Sequence, residues 1–115
     1  MEAKAVARHI KQSPRKIRKT LDSVRGKKVD VALNILHFSP EKAAVVIEKT
    51  IHSAVANLIS QEDKANVNPE NLSIKEAYVD GGPRAKRYRA ASMGRAALIR
   101  KASAHLTVVV ADESN

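Results

Sequence analysis

The sequence has no cysteine and no tryptophan, and its 115 residues include one phenylalanine and two tyrosines. Without thiols there is no disulfide, thiolate zinc site, iron–sulfur cluster or cysteine nucleophile, and a reducing compartment is permitted. With only Phe38, Tyr78 and Tyr88 as aromatics, the stacking platforms of OB-type and RRM-type domains lack their base-binding faces. The core has to be aliphatic. Long apolar runs are missing too: Ala43 to Ile47 and Leu106 to Ala111 fall far short of the roughly 20 residues of a membrane span. The opening Met-Glu-Ala-Lys-Ala-Val carries no apolar export region behind its charges. A soluble, unexported protein with no membrane contact is expected.

Acids are absent from 31 consecutive residues, 81 to 111. The net charge of +9 is therefore unevenly spread: residues 1–28 sum to +8, residues 29–80 to −4, and residues 81–115 to +5. Such segregation builds local positive potential that a mixed surface would cancel, and it points to a polyanionic partner. Solubility alone does not require it. At this length one domain, residues 1–115, is expected.

Ala3 to Ile10 alternates charged and small apolar residues and reads as a short edge strand. Ser13-Pro14 reads as an N-cap with proline at the first helical position. Ile17, Leu21 and Val24 then follow at helical spacing, with Gly26 as the stop and Arg15, Lys16, Arg18 and Lys19 on the opposite face. A second helix over Val29 to Leu36 turns Val29, Ala32, Leu33 and Leu36 inward. Ser39-Pro40-Glu41 repeats the cap-and-proline start for a third. In that helix Ala44, Ile47, Ile51, Val55 and Leu58 hold one face, and Val45, Val46, Ala54 and Ile59 widen the apolar arc. A loop over Gln61 to Asn71 leads to strands at Leu72 to Val79 and His105 to Ala111.

Between those strands lies GGPRAKRYRAASMGRAALIRK. Propensity favours an isolated helix over Arg95 to Ala104. Equally, a chain leaving one strand and returning in another can form one long hairpin over about 80–104, with Ala90, Ala91, Ser92, Met93 and Gly94 at its tip. Its arms would reach roughly 25 Å beyond the domain at about 3.3 Å per residue. Composition leaves both open.

Catalytic and cofactor chemistry has no foothold. His9, His37, His52 and His105 stand at no ligand spacing, and phosphate-loop, dinucleotide and nucleophile-elbow motifs are missing. The reading is not an enzyme, no metal and no cofactor. What remains is phosphate binding by Arg15, Lys16, Arg18 and Lys19 on the first helix and by Arg84, Lys86, Arg87, Arg89, Arg95, Arg100 and Lys101 on the hairpin. Guanidinium forks suit structured nucleic acid better than a diffuse anionic surface.

The run VDGGPRAKRYRAASMGRAALIRKASAHLTVVVAD, with FSPEKAA and SPRKIR, resembles the bacterial large-subunit ribosomal protein L-twenty-two family over about Ala3 to Asp112. Its most specific part is Gly94-Arg95, then nine intervening residues, then His105 to Val110. The resemblance implies an α+β domain of three helices packed on a small antiparallel sheet with a long protruding basic β-hairpin, so that Arg95 to Ala104 is strand. It implies a cytoplasmic structural constituent of the large ribosomal subunit that binds 23S-type rRNA, aids subunit assembly and touches neighbouring ribosomal proteins. Its tip, Ala90 to Gly94, would line the exit tunnel and meet the nascent polypeptide. Pro83, Lys86, Arg87, Gly94, Arg95, Arg100 and Lys101 match the family's hairpin pattern and inherit rRNA contact. The family usually has a basic residue at the position of Ala91 and often one at Met93, so phosphate contact at this tip is reduced.

Two rival readings make different demands. A DNA-architectural arm protein, with Met93 as a wedge, would be a dimer, whereas no self-association is expected here. A membrane-binding or acidic-partner protein would need an amphipathic basic helix over residues 84–104.

Overall fold

The computed structural model describes residues 2–61, 71–82, 85–90, 96–101 and 103–112. Three helices and a three-stranded antiparallel sheet make an α+β fold. The elements are β1 (Glu2–Ile10), α1 (Pro14–Leu21), α2 (Val29–His37), α3 (Ala43–Gln61), β2 (Leu72–Gly81), β3 (Ala85–Ala90), β4 (Ala96–Lys101) and β5 (Ala104–Asp112). The sheet order is β1-β5-β2, and β3 pairs with β4 in a separate two-stranded ribbon.

Alternation along the strands decides which face is buried. In β5, Leu106, Val108 and Val110 are fully buried, and their register partners Ala7, Ala5 and Ala3 on β1 and Val79, Ala77 and Ile74 on β2 join the same face. Alanine on β1 keeps that edge thin enough for α3 to approach, and Asn57 Nδ2 of α3 donates to the Lys4 carbonyl at 3.0 Å. Ile47, Ile51, Ala54 and Leu58 of α3 are fully buried, alongside Ile17 and Leu21 of α1 and Leu36 of α2. The core is aliphatic, as the scarcity of aromatics requires: Phe38 is 80% exposed and Tyr78 43%.

Several local expectations need correction. Helix α1 ends at Leu21, not at Gly26. The chain continues as a turn that buries Val24, and Gly26, at φ 73°, serves that turn rather than the helix. The third helix begins at Ala43 instead of Pro40. The Ser39 hydroxyl accepts from Glu41 N at 3.3 Å, and the Glu41 carboxylate accepts from the buried Thr20 hydroxyl on α1. Glu41 is thus a tether between helices rather than a first-turn acid. Val45 is 55% exposed, so among the described residues no further layer covers that side of α3. Leu33, Val46, Val55 and Ile59 are only partly buried.

Candidate nucleic-acid interface

Burial of Ile17, Thr20 and Leu21 turns Arg15, Lys16, Arg18 and Lys19 outward, and all four are exposed. Pro14 supplies the helix start without spending a backbone donor, from an extended Ser13 at ψ 143° whose side chain makes no capping bond. The cationic face of the sequence reading therefore exists as one surface. It is not uniformly free, however. Arg18 Nη2 donates to the Val79 carbonyl at 2.6 Å, and Arg25 Nε donates to the Ala77 carbonyl at 3.0 Å. Arg25 also pairs with Asp22. Arg25, Lys27 and Lys28 lie beyond the helix, so a reading by helical faces passes over them. Only the packing of this turn against β2 shows where they stand.

In the ribbon, the register sets Lys86 opposite Arg100, Ala85 opposite Lys101, Arg87 opposite Ile99, Tyr88 opposite Leu98, and Arg89 opposite Ala97. Residues 96–101 form strand β4, so the helix that propensity favours there is not formed, nor is a basic amphipathic helix over 84–104. Cross-strand pairing with β3 overrides the helical preference of Ala, Leu, Arg and Lys. Ala90 closes β3. Pro83, Arg84, Arg95 and the tip residues Ala91, Ser92, Met93 and Gly94 lie outside the described residues.

Where β2 and β5 run out toward this ribbon, Gly82 N donates to the Ser103 carbonyl at 2.9 Å. A Cβ on Gly82 would stand 2.6 Å from Ser103 Oγ and 3.3 Å from His105 Nε2. His105 cannot easily yield, since its Nδ1 accepts from His9 N at 3.1 Å and the two rings meet edge to face at 4.9 Å. That contact depends on a bulge in β1 between Ala7 and Ile10, with His9 at φ 56°. Gly82→Ala is expected to destabilise the protein by about 1–3 kcal/mol through overpacking, read as a shift of the urea midpoint.

The outer sheet face has a different electrostatic character. The exposed charged residues of β1 and β2 are Glu2, Lys4, Arg8, Lys75, Glu76 and Asp80, three cations and three anions. Lys75 Nζ donates to Glu2 Oε2 at 2.6 Å. This bond and the charge attraction hold the Glu2 carboxyl below its ordinary range and the Lys75 ammonium above its own. Glu2 therefore contributes stability that is lost as pH falls through its lowered folded pKa. Lys75 contributes stability that is lost as pH rises through its raised one. Both groups are solvent-exposed, so the contribution is small.

Residues 5–111 match the family described as Ribosomal protein L22p/L17e. The chain belongs to that family. Relatives called large ribosomal subunit protein uL22 accompany the match. That of Halothermothrix orenii is 48% identical over 113 residues, covering 98% of this chain and 97% of the relative. That of Bifidobacterium longum is 50% identical over 115 residues, with the same coverage. That of a Thermotoga species is 50% identical over 114 residues, covering 99% of this chain and 70% of the longer relative. As an L22p/L17e protein, the chain is a ribosomal protein with a structural role in translation. Among the described residues, no group of three or more His, Asp or Glu side chains is arranged to hold a metal ion, and no helix is long and apolar enough to cross a membrane.

Proposed function

We propose that the chain is a single ribosomal-protein domain, residues 1–115 with an extended hairpin at about 80–104. In this reading it is a cytoplasmic constituent of the large ribosomal subunit. It binds 23S-type rRNA, aids subunit assembly and packs against neighbouring ribosomal proteins. Its hairpin runs inward, and the tip from Ala90 to Gly94 reaches the tunnel wall and the nascent polypeptide.

The observation that carries this reading is the segregation of charge. The α1 side presents exposed cations, whereas the outer sheet face balances its charges, so the protein offers a polyanion one side rather than its whole surface. The ribbon adds a second reason. Its register pairs the basic residues Lys86 and Arg100, which concentrates cationic sequence at one place along the ribbon. Phosphate binding of this kind releases counterions, so affinity falls steeply with salt.

The test is competitive binding at moderate salt of the intact chain and a version lacking residues 84–101, each offered folded 23S-type rRNA and duplex DNA. The intact chain is expected to prefer the rRNA, and the deletion to weaken that preference. Equal affinity for both nucleic acids, or preferential binding to DNA with two chains per site, would replace this reading with a DNA-architectural one.

A further inference from the structure

An edge strand ordinarily leaves a row of backbone groups open to solvent or to another strand. Along the outer edge of β2 one bridge and three bonded backbone groups involve basic residues. Ser73 bridges to Lys28, Ile74 N donates to the Lys27 carbonyl at 3.0 Å, the Ala77 carbonyl accepts from Arg25, and the Val79 carbonyl accepts from Arg18. At the end of the strand, Pro14 Cγ lies 4.0 Å from the point where a Cβ on Gly81 would stand, which brings the neighbouring Arg15 to that end. Lys28, Lys27, Arg25, Arg18 and Arg15 thus succeed one another beside Ser73 to Gly81, a length of about 27 Å at 3.4 Å per residue. All five are exposed. Asp22 is paired with Arg25 among them, and the acids of β2 itself, Glu76 and Asp80, are exposed alternately with the buried Ala77 and Val79.

The two middle cations are held as well as placed. Arg18 commits Nη2 to a strand carbonyl, while Arg25 commits Nε to another and Nη1 to Asp22. Each guanidinium keeps further N–H donors for a ligand, and each has already given up rotamer freedom that a loose side chain would lose on binding. Their anchoring carbonyls, Ala77 and Val79, are two residues apart, which spaces them by about 6.8 Å. Successive phosphates of one RNA strand can match that interval. The balanced charges on the outer sheet face leave this edge as the electropositive line leading from α1 toward Gly82.

We infer that the outer edge of β2 is a phosphate track, along which one RNA strand runs with adjacent phosphates on Arg25 and Arg18. This rests on the rRNA-binding reading and adds to it Arg25, Lys27 and Lys28, the path of the strand, and the reason two arginines are tied to sheet carbonyls.

The chain has no cysteine of its own, so Lys28→Cys and Arg15→Cys each accept a single tethered iron chelate. In complex with folded 23S-type rRNA, hydroxyl-radical cuts from the two sites are expected on one continuous strand, centred about four nucleotides apart at the same interval of about 6.8 Å per phosphate. Cuts in separate rRNA segments would overturn the track while leaving rRNA binding intact. Failure of the unmodified chain to bind the rRNA would overturn both. A second measurement separates phosphate contact from mere edge capping. Arg25→Ala should flatten the salt dependence of log K by about one, and Arg25→Lys should lose several-fold in affinity at nearly unchanged slope. A lower Tm for Arg25→Ala with unchanged rRNA affinity and slope would reduce the arginine to an edge cap and overturn the proposal.

Discussion

Ile51→Ala is expected to lower the free energy of unfolding by about 2–5 kcal/mol, a fall in Tm on the order of 10 °C for a domain of this size. Ile51 is fully buried at the centre of α3. Its truncation leaves a cavity within the buried core cluster, where close packing limits collapse. The urea midpoint should fall with the m-value unchanged, marking a loss of stability rather than a change in denatured-state compactness. Val45→Ala on the same helix should shift stability by no more than about 0.5 kcal/mol, because Val45 is exposed. An unchanged midpoint for Ile51→Ala would refute the placement of this helix face.

The second large effect belongs to binding. Residues 81–115 contain seven Lys and Arg, all in the hairpin segment. Neutralising Arg84, Lys86, Arg87, Arg89, Arg95, Arg100 and Lys101 together should flatten the slope of log K against log salt by roughly 5–6, since each phosphate that is no longer neutralised lowers it by about 0.7–0.9. Affinity for rRNA at low salt should fall by several orders of magnitude. Arg87→Ala or Arg95→Ala alone should free about one phosphate each, at little cost in stability. Equal affinity of these variants and the parent at moderate salt would remove the hairpin from the account of binding.

The parts of the fold that are legible in the sequence are those whose pattern is set locally. Ala44, Ile47, Ile51 and Leu58 recur at helical spacing, and α3 buries all four. The β-branched run in HLTVVVA lies in β5. Where an element depends on a distant partner, local signals mislead. AALIRK has the composition of a helix, and only its pairing with β3 makes it strand. Ser39-Pro40-Glu41 has the form of a helix start, but Glu41 is drawn to Thr20, 21 residues earlier.

The interface follows the same division. Outward placement of Arg15, Lys16, Arg18 and Lys19 follows from the burial of Ile17 and Leu21 on the other side of one helix. The family resemblance has its most specific motifs in and after the hairpin and names its arms. That two arginines are fastened to the edge of β2 could not be read, because Arg18 and Val79 are 61 residues apart and Arg25 and Ala77 are 52 apart. A charge count records such residues as cations. It does not record which of them are already oriented.

Strand β5 follows every other element in chain order, yet it occupies the middle of the β1-β5-β2 sheet. During synthesis the helices can begin to coil from local contacts, but β1 and β2 share no ladder with each other. Until β5 arrives, neither strand has its ladder partner and Ile74 and Val79 have no sheet face to complete. The slow step of folding should therefore be the insertion of β5 between two waiting strands, closing a loop of about a hundred residues on the β1 side, as expected when non-local pairings dominate. Before that step the chain carries open strands prone to pairing with other molecules.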